Sequence, residues 1–227
     1  VYYYDEKNPS KTKLPKEYDH TLFIYEWSRN WIIAVHLDEN ENIAKNADGS
    51  LRMERIAKNM TFKRPMDMEL GPDGCLYIAE FGNDSRIRRV KDGVISTVAG
   101  GGRDRGNGVP ATSVFISGIE AVAVGPDGTV YFSEQGGCRV RRSAPDGTVA
   151  TVAGTGCAPM TSDNVPATQA SLFGPRGLAF GPDGSLYIAE RSGHRIRRVA
   201  PNGIITTVAG TGVAGFSGDG GAASRAA

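Results

Sequence analysis

Short runs of β-branched and aromatic residues alternate with glycine, proline and aspartate punctuation along most of the chain. The repeating part never sustains the 3.6-residue period of an amphipathic helix, so the pattern predicts strands and tight turns. Gly-Pro-Asp-Gly begins at Gly71, Gly125 and Gly181, a spacing of about 55 residues. Each copy is preceded by one short run (Met66–Leu70, Ala121–Val124, Leu178–Phe180) and followed by a second (Cys75–Glu80, Thr129–Glu134, Ser185–Glu190). A glycine-containing link then leads to a third run (Arg86–Val90, Arg139–Ser143, Arg195–Val199). A further turn at residues 91–93, 145–147 or 201–203 leads to a fourth (Ile95–Gly100, Val149–Gly154, Ile205–Gly210). Proline presets one turn dihedral and glycine accepts the positive φ that tight hairpins need. Each unit therefore reads as a four-stranded antiparallel meander.

A single meander cannot bury both of its faces, so the copies must stack. At this repeat length, radial stacking gives a β-propeller. Residues 1–62 lack the motif but continue the strand pattern, with Leu22–Trp27, Trp31–Leu37 and Leu51–Ile56 as strands and Val1–Asp5 as a further candidate. The expected architecture is an all-β propeller of about four blades: a divergent blade over 1–62 and three regular blades over 63–227. Residues 215–223 parallel the inter-blade segments 106–112 and 163–168. Four blades either close on themselves or form part of a larger, six-bladed ring. Two uncovered blade faces would favour self-association.

Composition narrows the function classes. Thirty glycines and twelve prolines in 227 residues suit many short strands. A net charge of +1 argues against an obligate binder of nucleic acid or anionic membrane. No apolar run approaches the ~20 residues of a membrane-spanning helix. The chain opens on Val-Tyr-Tyr-Tyr-Asp, with neither a starting Met nor a signal-peptide core, and reads as a processed piece of a secreted or periplasmic protein. Cys75, Cys138 and Cys157 show no CxxC spacing, which argues against a metal site or a disulfide framework. One disulfide at most can form, and Cys75 reads as a small buried strand residue.

Two resemblances cover most of the chain. From about Pro65 onward, the strand, the Pro-Asp-Gly turn, Leu-Tyr-Ile-Ala-Glu and Arg-Ile-Arg-Arg-Val resemble NHL repeats, with the cleanest copy at Gly177–Gly210. Residues 18–81 resemble the late blades of soluble glucose/sorbosone dehydrogenases, through Leu22–Ile32 and Phe62–Gly74. Those enzymes are six-bladed propellers that bind pyrroloquinoline quinone (PQQ). That resemblance places Arg29 and Arg64 at cofactor-binding positions. Met66 replaces the second arginine of the Arg-x-Arg-Asp pattern, and a bidentate carboxylate clamp cannot be made by Met. The histidine base of that family belongs to early blades outside this sequence.

The remaining candidates are charge patterns. Alternation along Arg-Ile-Arg-Arg-Val predicts outward arginines, so Arg86, Arg88, Arg139, Arg141, Arg195 and Arg197 form a candidate partner-binding ladder across three blades. The competing reading pairs them with Glu80, Glu134 and Glu190 on adjacent strands. A ring of those three carboxylates is also a conceivable Ca²⁺ site. His20, His36 and His194 lack any zinc spacing, and His36 reads as a satisfied sheet residue. Tyr25, Trp27 and Trp31 read as inter-blade packing or as a ligand pocket wall. The function expected is a non-catalytic binding propeller without a cofactor, recognising a protein or carbohydrate. The alternatives are the cofactor-binding portion of a dehydrogenase using PQQ with Ca²⁺, and a gluconolactonase-like metal hydrolase.

Overall fold

The computed structural model describes residues 21–26, 31–40, 42–56, 62–144, 146–158 and 162–227. The candidate strand at residues 1–5 and His20 lie outside them. Four antiparallel sheets follow one another along the chain. The first holds β1 (Thr21–Glu26), β2 (Trp31–His36) and β3 (Met53–Ile56). The second holds β4 (Pro65–Leu70), β5 (Leu76–Glu80), β6 (Arg86–Lys91) and β7 (Val94–Gly100). The third holds β8 (Ile119–Val124), β9 (Val130–Glu134), β10 (Arg139–Ser143) and β11 (Val149–Ala153). In the fourth, β13 (Pro175–Phe180), β14 (Leu186–Glu190), β15 (Arg195–Val199) and β16 (Ile204–Ala209) form the meander. The two-residue β12 (Val165–Pro166) joins its outer edge.

These are four blades of a β-propeller. Their inner strands touch in the order β1, β4, β8, β13, and among the described residues no comparable contact joins β13 to β1. The strands match the sequence pattern closely at the Pro-Asp-Gly turns. The inner strands begin earlier than alternation suggests, because each opens with a register shift near Pro65, Ile119 or Pro175. A bulge of this kind breaks the period-2 signal that would otherwise mark the strand start.

The core lies between blades. Ile32, Phe62, Leu76 and Ile78 fill the first interface. Tyr77, Ala79, Ile87, Val122 and Phe132 are among the residues filling the second. Val140, Leu172, Leu186, Ile188 and Ile205 are among those filling the third, where the Tyr131 and Phe180 rings meet edge-to-face at 4.9 Å. Both faces of an inner blade are thus covered, so alternation sorts side chains between two interfaces rather than between core and water. The far face of the fourth blade is more open: Ile196 is 36% exposed, whereas Ile87 and Val140 at equivalent positions are fully buried.

Inter-blade segments stitch the stack. Residues 108–111 pair with the outer edge of the third blade, through Gly108 N–H to Val149 O (2.8 Å) and Ala111 N–H to Gly147 O (2.8 Å). Asn164 N–H to Ile205 O (2.8 Å) and Ala167 N–H to Gly203 O (2.8 Å) repeat this on the fourth. Pairing the edge strand satisfies backbone groups that would otherwise be an open template.

Strand register gives the blades two common ends. Pro65, Glu80, Arg86 and Gly100 share one end of the second blade, and Ile119, Glu134 and Arg139 share the same end of the third. Pro175, Glu190 and Arg195 complete this entry end in the fourth. The Pro-Asp-Gly hairpins form the opposite, turn end.

Candidate functional site

The carboxylates of the turn end are occupied in building turns. Asp73, Asp127 and Asp183 accept the backbone N–H two residues on, at 3.2, 3.0 and 3.0 Å. Their second oxygens accept the hydroxyls of Tyr77 (3.0 Å), Thr129 (2.8 Å) and Ser185 (2.8 Å). Arg198 donates to Asp183 at 2.7 Å, and that bond first, with those from Ser185, holds the Asp183 carboxyl down at about 2. This is the side-chain chemistry of Asx-type turns.

Half of the arginine ladder turns inward. Arg141 and Arg197 are fully buried, and Arg88 is 19% exposed at its side chain. The expectation of outward arginines fails at these three positions for a structural reason. A register shift at Ile87/Arg88, Val140/Arg141 and Ile196/Arg197 interrupts each third strand's pairing with the outer strand. Neighbouring blades also cover both faces of the second and third blades. Arg88 donates to Glu80 at 3.3 Å, Arg141 to Glu134 at 3.5 Å, and Arg197 Nη1 lies 3.6 Å from Glu190. Arg141 and Arg197 then reach into the preceding inter-blade segment. Arg141 donates to Gly106 O and to Asn107 Oδ1 (3.4 Å), and Arg197 donates to Ser162 O (2.8 Å) and Asp163 Oδ1 (2.9 Å). Thr151 and Thr207 donate to the same Asn107 and Asp163, at 3.0 and 3.1 Å.

Glu80 and Glu190 also accept the backbone N–H groups of Lys63 (3.1 Å) and Phe173 (2.7 Å). Burial raises the Glu190 carboxyl, against the bond from Phe173 and the charge of Arg197. These carboxylates clamp blade entries to arginines. Among the described residues no group of three or more His, Cys, Asp or Glu is placed to hold a metal ion.

The other three ladder arginines emerge at the entry end. The Arg86 side chain is 34% exposed and pairs with Asp84 at 3.3 Å. Arg139 is 26% exposed beside Glu134, and half-buried Arg195 donates to Thr211 O at 3.3 Å. Lys63, Arg64 and Arg191 are exposed at the same end. Against them stand Asp84, which takes Lys63 (3.3 Å) as well as Arg86, and the nearly buried Glu120, which lies 3.7 Å from Arg176. The near-zero net charge of the chain therefore conceals a cationic end. Two depressions open there: one of about 420 Å³ lined by Lys63, Arg64, Phe81, Gly82, Asn83 and Gly118, and one of about 240 Å³ that includes Arg176, Arg191, His194 and Arg195.

Of the cofactor candidates, Arg64 lies exposed at this end, and Arg29 falls outside the described residues, as does Trp27. His36 is buried between Thr21 Oγ1 (3.1 Å) and Glu54 Oε1 (3.1 Å), and His194 is an exposed turn residue with φ 47°. Sequence reasoning missed three features. Cys138 and Cys157 form a disulfide, whereas Cys75 is reduced and buried as expected, its thiol pushed up to about 12 by burial and then by Asp73. Asn107 and Asp163 receive the buried arginines. Their signal was present, since both stand shortly before a Val-Pro-Ala-Thr sequence. Asp67 and Glu69 on β4 accept N–H groups from Val122 (3.0 Å) and Val124 on β8, which joins two inner strands that share no sheet. Burial raises both carboxyls, Glu69 to about 6.

Comparisons with known proteins agree with this architecture. The family model described as Teneurin NHL domain matches residues 143–217. Teneurin-m of Drosophila melanogaster is 32% identical over 158 residues, covering 63% of this chain and 6% of that protein. Teneurin-3 of Mus musculus is 31% identical over 198 residues, covering 77% of this chain and 7% of its own length. The chain thus spans only a small part of these curated relatives. Virginiamycin B lyase from Staphylococcus aureus superposes with a TM-score of 0.51 at 22% identity, over 82% of this chain and 51% of that one, a likeness of fold.

Proposed function

Since the chain is an NHL-repeat β-propeller, we propose that it is a non-catalytic binding module that holds an acidic protein segment on its cationic entry end. One observation carries this reading. Arg86, Arg139 and Arg195 recur at the same repeat position and stay partly exposed at one end, while Arg88, Arg141 and Arg197 on the same strands are consumed internally. Lys63, Arg64 and Arg191 extend the cationic surface around them. Clustered cations of this kind raise the local concentration of an acidic partner and set its orientation more than they add raw affinity.

The dehydrogenase alternative has less to stand on. A PQQ carboxylate clamp needs a second guanidinium where Met66 stands, so no step through a quinone is derived. The Cys138–Cys157 disulfide fits an oxidising compartment and supports a secreted or periplasmic location.

Fluorescence anisotropy with a labelled deca-glutamate peptide, and deca-glutamine as neutral control, tests the proposal. The protein is expected to bind deca-glutamate saturably and to lose that binding steeply with salt. The combined substitutions Arg86→Glu and Arg195→Glu are expected to weaken it at least tenfold. Equal binding of both peptides, or unchanged binding by the double variant, overturns the proposal.

A further inference from the structure

Resting on that reading, we infer that the cleft beside Phe81 seats an acidic side chain of the partner and that Arg64 is its specificity-determining contact. At the mouth of each regular blade one carbonyl accepts an N–H from the residue after the second strand: Arg64 O from Phe81 (3.1 Å), Gly118 O from Gln135 (2.9 Å) and Gly174 O from Arg191 (3.0 Å). All three positions are left-handed, with φ of 45°, 69° and 68°. Glycine meets that demand without strain in two blades, and arginine occupies it in the other. The other non-glycine residues at positive φ are of different kinds. Asp92 and Asn164 belong to residue types that tolerate the region, and Cys138 and His194 share an equivalent turn position in adjacent blades. A branched or long side chain at a left-handed position is a strained choice, and such strain concentrates where a side chain serves a ligand.

What surrounds Arg64 suits one class of ligand. It lines the 420 Å³ cleft with Lys63, Asn83, the Phe81 ring and the backbone of Gly82 and Gly118. Lys63 pairs with Asp84 through side chains that are 64% and 42% exposed, a solvent-screened pair that competes weakly with an incoming anion. Phe81 packs on the core between the second and third blades, so the apolar part of the cleft lining is held in place. A guanidinium takes a carboxylate in two parallel bonds, while the ring accepts the methylenes of a Glu or Asp side chain. In the third and fourth blades the left-handed position itself is Gly118 or Gly174 and carries no cation. The cleft therefore distinguishes the second blade from its neighbours and fixes where on the cationic end the partner lies.

The test uses Arg64→Gly and Arg64→Lys in the full chain, read by deca-glutamate anisotropy and by thermal melting. Arg64→Gly is expected to weaken binding about tenfold while raising the melting midpoint by about 2 °C, because glycine relieves the left-handed strain. Arg64→Lys keeps the charge but gives up the two parallel bonds, so it is expected to weaken binding by about threefold, less than Arg64→Gly, without raising the midpoint. Wild-type affinity in Arg64→Gly, with binding still lost in the Arg86/Arg195 double variant, removes Arg64 from the site and leaves the cationic-end reading standing. A lower midpoint in Arg64→Gly would show that the arginine serves the fold instead. Absence of deca-glutamate binding by the unaltered protein overturns both inferences together.

Discussion

Replacing Arg197 by leucine separates the structural arginines from the recognition arginines. Its guanidinium is fully buried, donates to Ser162 O at 2.8 Å and Asp163 Oδ1 at 2.9 Å, and faces Glu190 at 3.6 Å. The substitution leaves Glu190, itself 2% exposed, without its countercharge, and leaves Ser162 O without a donor. Breaking a buried pair from one side costs about 3–5 kcal/mol. The lower figure applies here, because Arg197 Nε and Nη1 already lack hydrogen-bond partners, a cost the native state carries. A loss of about 3 kcal/mol in a domain of this size lowers the melting midpoint by roughly 6–12 °C. Urea and thermal melts followed by circular dichroism measure it. Arg195→Leu, two residues away and half-buried, is the control and is expected to change stability by no more than about 1 kcal/mol. Arg197→Leu combined with Glu190→Leu is expected to recover at least half of the loss, since no buried charge is then stranded. An Arg197→Leu protein within about 1 kcal/mol of the unaltered one would refute the clamp assigned to this residue.

Three further outcomes follow from the seams between blades. Glu69 has a folded pKa of about 6 against 4.5 for the free side chain, so the protonated form is favoured by folding. Its contribution is fully present below about pH 4.5 and is lost as pH rises through 6. Glu69→Gln keeps an acceptor for Val124 N–H. It is expected to match the unaltered protein at pH 4 and exceed it by roughly 1 kcal/mol at pH 7, half of what the shift alone implies because the group is partly solvated. A stability gap that does not widen between pH 4 and 7 contradicts that assignment. The Cys138–Cys157 bridge closes a short loop, with a sequence separation of 19. Cys138→Ala with Cys157→Ala is expected to lose about 3 kcal/mol in urea melts, and no loss would mean that the bridge contributes nothing to the fold. In the oxidised protein, buried Cys75 is expected to resist iodoacetamide until denaturant is added, and rapid native labelling would contradict its burial.

The repeat made most of the fold legible. Three copies of a turn motif located twelve strands, because turn chemistry is local and each copy checks the others. The direction of individual side chains was not legible by the same route. Arg88, Arg141 and Arg197 obey alternation as a pattern, yet a blade between two neighbours has no solvent face, and the bulge beside each arginine depends on pairing with a strand about ten residues on. The repeat motif marks the entry-end arginines, but its spacing does not separate them from their buried neighbours. Arg64 entered through a family resemblance. Its left-handed backbone becomes visible only when its carbonyl is matched to those of Gly118 and Gly174. Asp67 and Glu69 were silent, because carboxylates accepting N–H groups from another blade leave no spacing signature.

The claim that binding belongs to the entry end is tested most directly by amide hydrogen exchange with and without saturating deca-glutamate. Protection is expected to concentrate in residues 63–64, 81–86, 135–139 and 191–195, with the turns at 72–74, 126–128 and 182–184 unchanged. Protection at the Pro-Asp-Gly turns instead, or none at either end, would contradict it.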